Sequence, residues 1–172
     1  MAVHGPHGPI APTVYRVSVL GDRVYVRVDG LGSMKNAQTL RSFGDKMVQE
    51  GFQSFLLDLE GCTGMDSTFM GTIMGLAMAT AGGSAPGVVV LKASPSLIAS
   101  LDTLGVSKFV RLNPDIELPE ELDLRDLGRH DLPPRERMIM IQQMHRHLLE
   151  CQESNRERFG PFLEALERDL EA

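Results

Sequence analysis

Two short apolar runs in the middle of the chain most constrain its fold. Ser54–Leu59 and Gly87–Leu91 are nearly continuous in apolar residues, and an apolar stretch of helical length, Thr68 to Thr80, separates them. Near-continuous apolar strands are typical of parallel sheets that are covered on both faces. Because parallel neighbours need a long crossover, usually a helix, the three segments predict a β-α-β unit.

The N-terminal part of the chain has the pattern of a β-hairpin. Tyr15–Leu20 and Arg23–Val28 both alternate apolar and polar residues, and Gly21-Asp22 between them is a strong turn signal. We expect Val17 and Val19 to share a face with the valines of the second strand, with the arginines outward.

Two more helices complete the predicted domain. A helix is predicted from about Asn36 to Glu50, with Gly51 as its terminator. Ser94-Pro95 begins another, which Gly105 ends, and a short strand is expected at Phe109–Leu112. The order β-β-α-β-α-β-α-β predicts an α/β fold with a mixed β-sheet covered by helices.

The chain divides into four segments by composition. Residues 1–12 are expected to form a flexible tail, residues 13–114 the α/β domain, residues 115–134 a Pro-rich connector, and residues 135–172 a two-helix extension. We expect Ser154 to open a capping box and Pro161 to kink the last helix or delay its start. The sequence leaves open whether this helical hairpin docks on the domain or forms a homodimer.

Charge and composition argue against several classes of partner. The formal net charge of -6 disfavours nucleic acid and anionic membranes. The most apolar run, Phe69 to Ala81, is too short to span a bilayer. Cys62 and Cys151 lie far apart and suggest no disulfide framework, and no signal peptide is visible. We therefore expect a cytoplasmic location.

The segment Asp58–Gly71 carries the functional hypothesis. A strand runs into a turn that delivers Asp66 and Ser67 to the head of an apolar helix. Ser67 is a plausible N-cap, and the positive end of the helix dipole at that position tolerates a phosphate. The alternative is that Ser67 is a cap and nothing more.

The same segment resembles a known family. Asp58-Leu59-x-Gly61-x-Thr63-x-Met65-Asp66-Ser67 is similar to the signature of the STAS domain, which anti-sigma-factor antagonists and sulfate transporters share. The resemblance covers roughly residues 13–114. The chain departs from the family at Thr68 and Phe69, where a small residue and Gly are common, and at Gly64, which is often aromatic.

The resemblance implies an anti-sigma-factor antagonist that regulates transcription and is not an enzyme. Ser67 would be the phosphoacceptor, with Thr68 as the alternative. Asp66, Ser67, Thr68, Phe69 and Met70 would bind the partner. That partner would be an anti-sigma factor that is also a serine kinase, and a phosphatase would restore the unphosphorylated form.

Other functions remain open at this point. The chain is alternatively a scaffold that self-associates through its added helices, or an enzyme with Cys62 or Ser67 as a nucleophile beside a histidine. His147 and Cys151 share a helix face, but two ligands make weak evidence for zinc, so no metal and no cofactor is expected.

Two stripes on the predicted second helix also allow two interpretations. Met70, Met74 and Met78 form either a buried face or an exposed binding patch. The small residues Gly71 and Gly75 would allow the helix to approach the sheet closely.

Overall fold

The computed structural model describes residues 12–172, and the flexible tail predicted for residues 1–12 falls almost wholly outside them. The described part contains a mixed sheet of seven strands and five α-helices, which confirms the predicted fold class. The strands are β1 (Val14–Leu20), β2 (Arg23–Gly32), β3 (Ser54–Asp58), β4 (Cys62–Met65), β5 (Val88–Leu91), β6 (Arg111–Leu112) and β7 (Arg125–Asp126). The helices are α1 (Ala37–Gln49), α2 (Ser67–Ala79), α3 (Pro95–Thr103), α4 (Pro134–Leu149) and α5 (Ser154–Glu171).

The sheet has the strand order β6-β5-β3-β2-β1-β7, and β4 pairs with the far end of β2. The predicted hairpin is present: β1 and β2 are antiparallel, and Val17 lies opposite Val26. The strands β2, β3, β5 and β6 run parallel. Val19 lies opposite Val24 and so shares the predicted face, but its side chain is 51% exposed.

The main core lies between one sheet face and the helices α1, α2 and α3. Apolar side chains of β2, β3 and β5 pack there against Leu40, Phe69, Ile73 and Leu101. Ser94 caps α3 through its hydroxyl, which accepts from Leu97 N, and Pro95 is the first helical residue, as predicted. A short 3-10 helix, Val106–Lys108, follows Gly105 and precedes β6.

The opposite sheet face is covered by the connector and not by helices. Tyr25, Leu56, Val89 and Leu91 are buried on that face, and they pack against partly buried side chains of the connector: Ile116, Leu118, Leu122 and Leu124. The connector also supplies the edge strand β7, which pairs with β1. Residues 115–134, predicted as a Pro-rich connector, thus also cover a sheet face, since spaced leucines can bury apolar side chains without regular structure.

The two-helix extension docks on the domain within the same chain. Leu148 and Cys151 join the main core, while Met140, Ile141 and Met144 form a second cluster with Ala37 and Leu166. The helix α5 begins at Ser154, so Pro161 does not delay its start. The predicted capping box is not formed, because no side chain caps this helix.

Candidate functional site

The residues Asp66 and Ser67 lie where β4 meets the N-terminus of α2. The sequence predicted a turn here, but Cys62–Met65 forms the strand β4, which pairs in parallel with the end of β2. The Asp66 N–H extends this pairing by donating to the carbonyl of Gly32 at 2.9 Å. The added strand therefore fixes Asp66 beside the loop that leads from β2 to α1.

Asp66, and not Ser67, is the N-cap of α2. The Asp66 backbone is extended, and its Oδ1 accepts from Phe69 N at 2.9 Å. Its Oδ2 accepts from Met34 N at 2.8 Å. The prediction of a Ser67 cap was wrong by one residue, because the carboxylate of Asp66 satisfies both a helix N–H and a loop N–H. Ser67 is the first helical residue, and its hydroxyl is not used in capping.

The Ser67 hydroxyl is bound to a histidine of the extension. Its Oγ lies 2.9 Å from Nε2 of His145, and Nδ1 of the same ring lies 2.8 Å from the carbonyl oxygen of Ile141. Since a carbonyl only accepts, Nδ1 carries the proton of the neutral ring and Nε2 presents its lone pair. The Ser67 hydroxyl therefore donates to His145.

The histidine is enclosed by aromatic rings. His145 is 3% exposed, and the rings of Phe159 and Phe162 from α5 meet it edge-on with centroids 5.0 and 4.9 Å away. This burial lowers the pKa of His145, although the hydrogen bond to Ile141 and the nearby Asp66 act in the opposite direction. The neutral ring, which accepts from Ser67, is thus the favoured form.

Three of the five predicted partner-contact residues lie in the interior. Thr68, Phe69 and Met70 are 3%, 0% and 6% exposed. Phe69 fills the space over Gly32, where a Cβ would lie 2.6 Å from the phenyl ring. These three side chains pack inside the domain and do not present a surface to a partner, and Thr68 is more deeply buried than the half-buried Ser67.

The exposed apolar side chains beside the site come from another part of the chain. Leu31 and Met34 are 41% and 46% exposed. Leu31 lies at the end of β2 opposite Gly64, and Met34 is tied to Asp66 through its backbone. Single exposed apolar residues are ordinary, and Leu31 and Met34 together form a small exposed apolar patch near the head of α2.

The methionine and glycine stripes of α2 face different neighbours. Met70 and Met74 are buried, and Met78 is 43% exposed, so the stripe is mainly a core face. The prediction that Gly71 and Gly75 let α2 approach the sheet is wrong, because they face α4: a Cβ on Gly71 would lie 2.2 Å from the carbonyl oxygen of Met144.

Neither cysteine has the surroundings of a nucleophile. Cys62 and Cys151 are both free and buried. Burial raises the pKa of the Cys62 thiol, and it raises the pKa of Cys151 to about 11. Within residues 12–172, no group of three His, Cys, Asp or Glu side chains is placed to hold a metal ion. In the same residues, no helix has both the length and the apolar character needed to cross a bilayer.

The Ser67–His145 pair has one feature of a catalytic dyad, namely a hydroxyl that donates to a neutral imidazole. Two other features of the site are unfavourable for catalysis. Nδ1 is oriented by a carbonyl and not by a carboxylate, which would stabilise the imidazolium. Two clefts of about 410 and 420 Å³ lie on the described part of the chain, and neither is lined by Ser67 or His145.

His145 was not predicted as a site residue, although its spacing from the apolar residues of α4 could have indicated that it is buried. His145 stands four residues after Ile141, on the side of α4 that carries the apolar stripe. A histidine at such a position is buried and needs a polar partner.

Solved structures place this architecture among known folds, although no family model and no curated protein matches the sequence. A crystal structure of a protein assigned as an anti-sigma factor antagonist, TM1081 from Thermotoga maritima, aligns with a TM-score of 0.52 at 16% identity, over 58% of this chain and 86% of that one. The fold is STAS-like.

Two structures of the antagonist SpoIIAA align less closely. The unphosphorylated form matches at 17% identity and a TM-score of 0.49, over 60% of this chain and 89% of that one. The phosphorylated form, from Bacillus, matches at 16% identity and a TM-score of 0.48, over 59% of this chain and 92% of that one. The fold assignment rests on the Thermotoga protein, because both of these TM-scores lie below 0.5.

Proposed function

We propose that this chain is an anti-sigma-factor antagonist whose binding to an anti-sigma serine kinase is switched by phosphorylation of Ser67. The observation that carries the proposal is the half-buried Ser67 at the first position of α2, with a hydroxyl that the helix cap does not use. The STAS-like fold, shared with the Thermotoga protein assigned as an antagonist, supports this class of function.

The contact surface in this proposal consists of Asp66, Ser67, Leu31 and Met34. Leu31 and Met34 provide apolar area, and Asp66 holds the loop of Met34 against the head of α2. Thr68, Phe69 and Met70 act indirectly, because their burial fixes the orientation of the helix. The chain supplies no catalytic group: the kinase and a phosphatase act on it in the cytoplasm.

Phosphorylation would change this surface mainly by its charge. A phosphoryl group adds about -1.5 to -2 charges beside Asp66. The N-terminus of α2 compensates by about 0.3–1 kcal/mol, so the head of this helix accepts the added charge once Ser67 is exposed to solvent. A partner surface that is apolar or acidic does not, and a penalty of about 3 kcal/mol weakens binding by around a hundredfold.

Mass spectrometry tests the proposal directly. The full chain is incubated with ATP and each anti-sigma-type serine kinase of its own genome, and the modified residue is mapped. We expect one phosphoryl group on Ser67 and none in the Ser67→Ala variant. Ser96 is a matched control, since it is an exposed serine in the first turn of α3. Modification of Ser96 or Thr68 with Ser67 untouched would contradict the proposal.

A further inference from the structure

We infer that the two-helix extension is an autoinhibitory element that covers Ser67 and controls its access to other proteins. This inference deepens the proposed function, on which its regulatory meaning rests. Its structural basis is the hydrogen bond between the Ser67 hydroxyl and His145 of α4, whose ring packs against Phe159 and Phe162 of α5.

The helix α4 fits a groove on α2 that only glycine permits. A Cβ on Gly71 would lie 2.2 Å from the backbone oxygen of Met144, and one on Gly75 would lie 2.6 Å from the ring of His147. His147 Nδ1 in turn lies 3.2 Å from the carbonyl oxygen of Gly71. Backbone approach this close is specific to the pair of helices, and it places His145 directly beside Ser67.

The turn between α4 and α5 is anchored separately. Asn155 is fully buried, and its Nδ2 donates to the carbonyls of Leu104 and Leu148 at 2.8 and 2.7 Å. Gln152 Nε2 donates to the carbonyl of Thr103 at 2.8 Å. These bonds hold the start of α5 at the end of α3, so that the phenylalanines of α5 reach His145.

The helix α5 is weakly held beyond this anchor. Of the 18 residues of α5, only Asn155, Leu163 and Leu166 are buried, and Phe162 is 43% exposed. A helix with few buried residues opens locally at low cost, while the rest of the domain stays folded. The helix α5 therefore has the properties of a reversible cover over His145, whereas α4 is held by its buried Met140, Met144 and Leu148.

A phosphate on Ser67 is incompatible with the docked extension. The ester oxygen can no longer donate to Nε2 of His145, and the charged group would lie against a buried neutral imidazole whose Nε2 offers it no proton. Docking and phosphorylation thus oppose each other, and by linkage each weakens the other to the same extent. An undocked extension would expose Ser67 to a kinase, and phosphorylation would keep the extension undocked.

Thiol labelling measures this cover without a kinase or a partner. In the full chain, Ser67→Cys places a thiol at the covered position, and N-ethylmaleimide labelling is followed by mass spectrometry. The buried Cys62 and Cys151 are corrected for with wild type. Adding Gly71→Ala overpacks the contact with Met144, and we expect labelling at the Ser67→Cys position to become about tenfold faster.

Gly160→Ala is the matched control, because it is also a helical glycine and a Cβ there meets nothing within 4 Å. We expect it to leave the labelling rate unchanged or to lower it, because alanine favours the helical state of α5 without a new contact. If Gly71→Ala unfolds the domain by circular dichroism, Gly75→Ala decides, since its methyl group meets only the ring of His147 and would displace that ring from the carbonyl oxygen of Gly71 without a backbone clash. Labelling as fast as in the denatured protein, or equal rates in the glycine variants and the control, would overturn the inference.

Phosphorylation rates then separate this inference from the proposed function. With a kinase that modifies Ser67, Gly71→Ala should be phosphorylated faster than Gly160→Ala. If no kinase modifies Ser67 but labelling still accelerates in Gly71→Ala, the cover is real and the proposed function fails. If Ser67 is phosphorylated at equal rates in both variants and labelling is also equal, the proposed function stands and the cover fails.

Discussion

The Ser67 hydroxyl lies 2.9 Å from Nε2 of His145, although 78 positions separate the two residues in the sequence. This hydrogen bond joins the head of α2 to the added helices. Through this bond, the protonation state of His145 and the docking of α4 are coupled to the environment of the Ser67 hydroxyl.

The protonation of His145 predicts a pH dependence of stability. Burial lowers the pKa of this ring, so the unfolded chain binds its proton more readily than the folded one. Stability is therefore complete above about pH 6.5 and is lost as pH falls from there through the lower pKa of the folded protein. The slope from this one group is at most about 1.4 kcal/mol per pH unit.

Urea denaturation of wild type and His145→Phe at about pH 7.5 and about pH 5.5 isolates this effect. The phenyl ring keeps the packing against Phe159 and Phe162 but cannot titrate. We expect the wild type to lose stability relative to the variant at the lower pH. A difference that is the same at both pH values would show that His145 does not titrate as described.

Substitution of Asp66 tests its double role as a cap and a loop anchor. Asp66→Ala removes the bonds to Phe69 N and Met34 N, and we expect the free energy of unfolding to fall by about 2 kcal/mol. Asp66→Asn can still cap α2 through its amide oxygen but meets Met34 N with an NH₂ group. We therefore expect Asp66→Asn to lower the free energy of unfolding by about half as much as Asp66→Ala does. Equal stability of Asp66→Ala and wild type would refute the cap assignment.

Asn155 should be the most sensitive polar residue of the extension. Asn155→Ala leaves the buried carbonyls of Leu104 and Leu148 without this donor, and we expect a loss of about 3 kcal/mol. Gln152→Ala removes a more exposed bond to Thr103, so it should cost about 1 kcal/mol or less. Thermal denaturation of both variants compares them, and a larger loss for Gln152→Ala would contradict the anchor described for α5.

The cysteines should be unreactive in the folded protein. Both thiols are buried with raised pKa values, so few of them are thiolates at neutral pH. We expect iodoacetamide to modify Cys62 and Cys151 slowly in native buffer and rapidly in guanidinium chloride. Rapid stoichiometric modification of Cys62 alone, in native buffer, would instead support a nucleophile.

The sequence predicted the sheet and its helices because local signals there agree with the tertiary structure. The alternation of β1 and β2, the Gly21-Asp22 turn and the Ser94-Pro95 start each act within a few residues. The strand β4 was missed because it is short and carries little of a strand pattern. It forms only because the end of β2 offers a free edge for pairing.

The site was predicted less completely, because its decisive contacts are non-local. Asp66-Ser67 was identified, but the cap was assigned to the wrong residue, since the adjacent carboxylate competes for the same helix N–H. The burial of Phe69 depends on Gly32, and the partner of Ser67 comes from α4. No pattern within α2 contains that information.

The dissociation constant of the complex with the anti-sigma kinase tests the central claim most directly. It is measured by calorimetry for the unphosphorylated chain, the Ser67-phosphorylated chain, Ser67→Asp and the control Ser96→Asp, which adds the same charge in the first turn of α3. We expect binding to weaken by about a hundredfold on phosphorylation, to weaken in Ser67→Asp, and to stay unchanged in Ser96→Asp. Equal affinity of the phosphorylated and unphosphorylated chains would contradict the account.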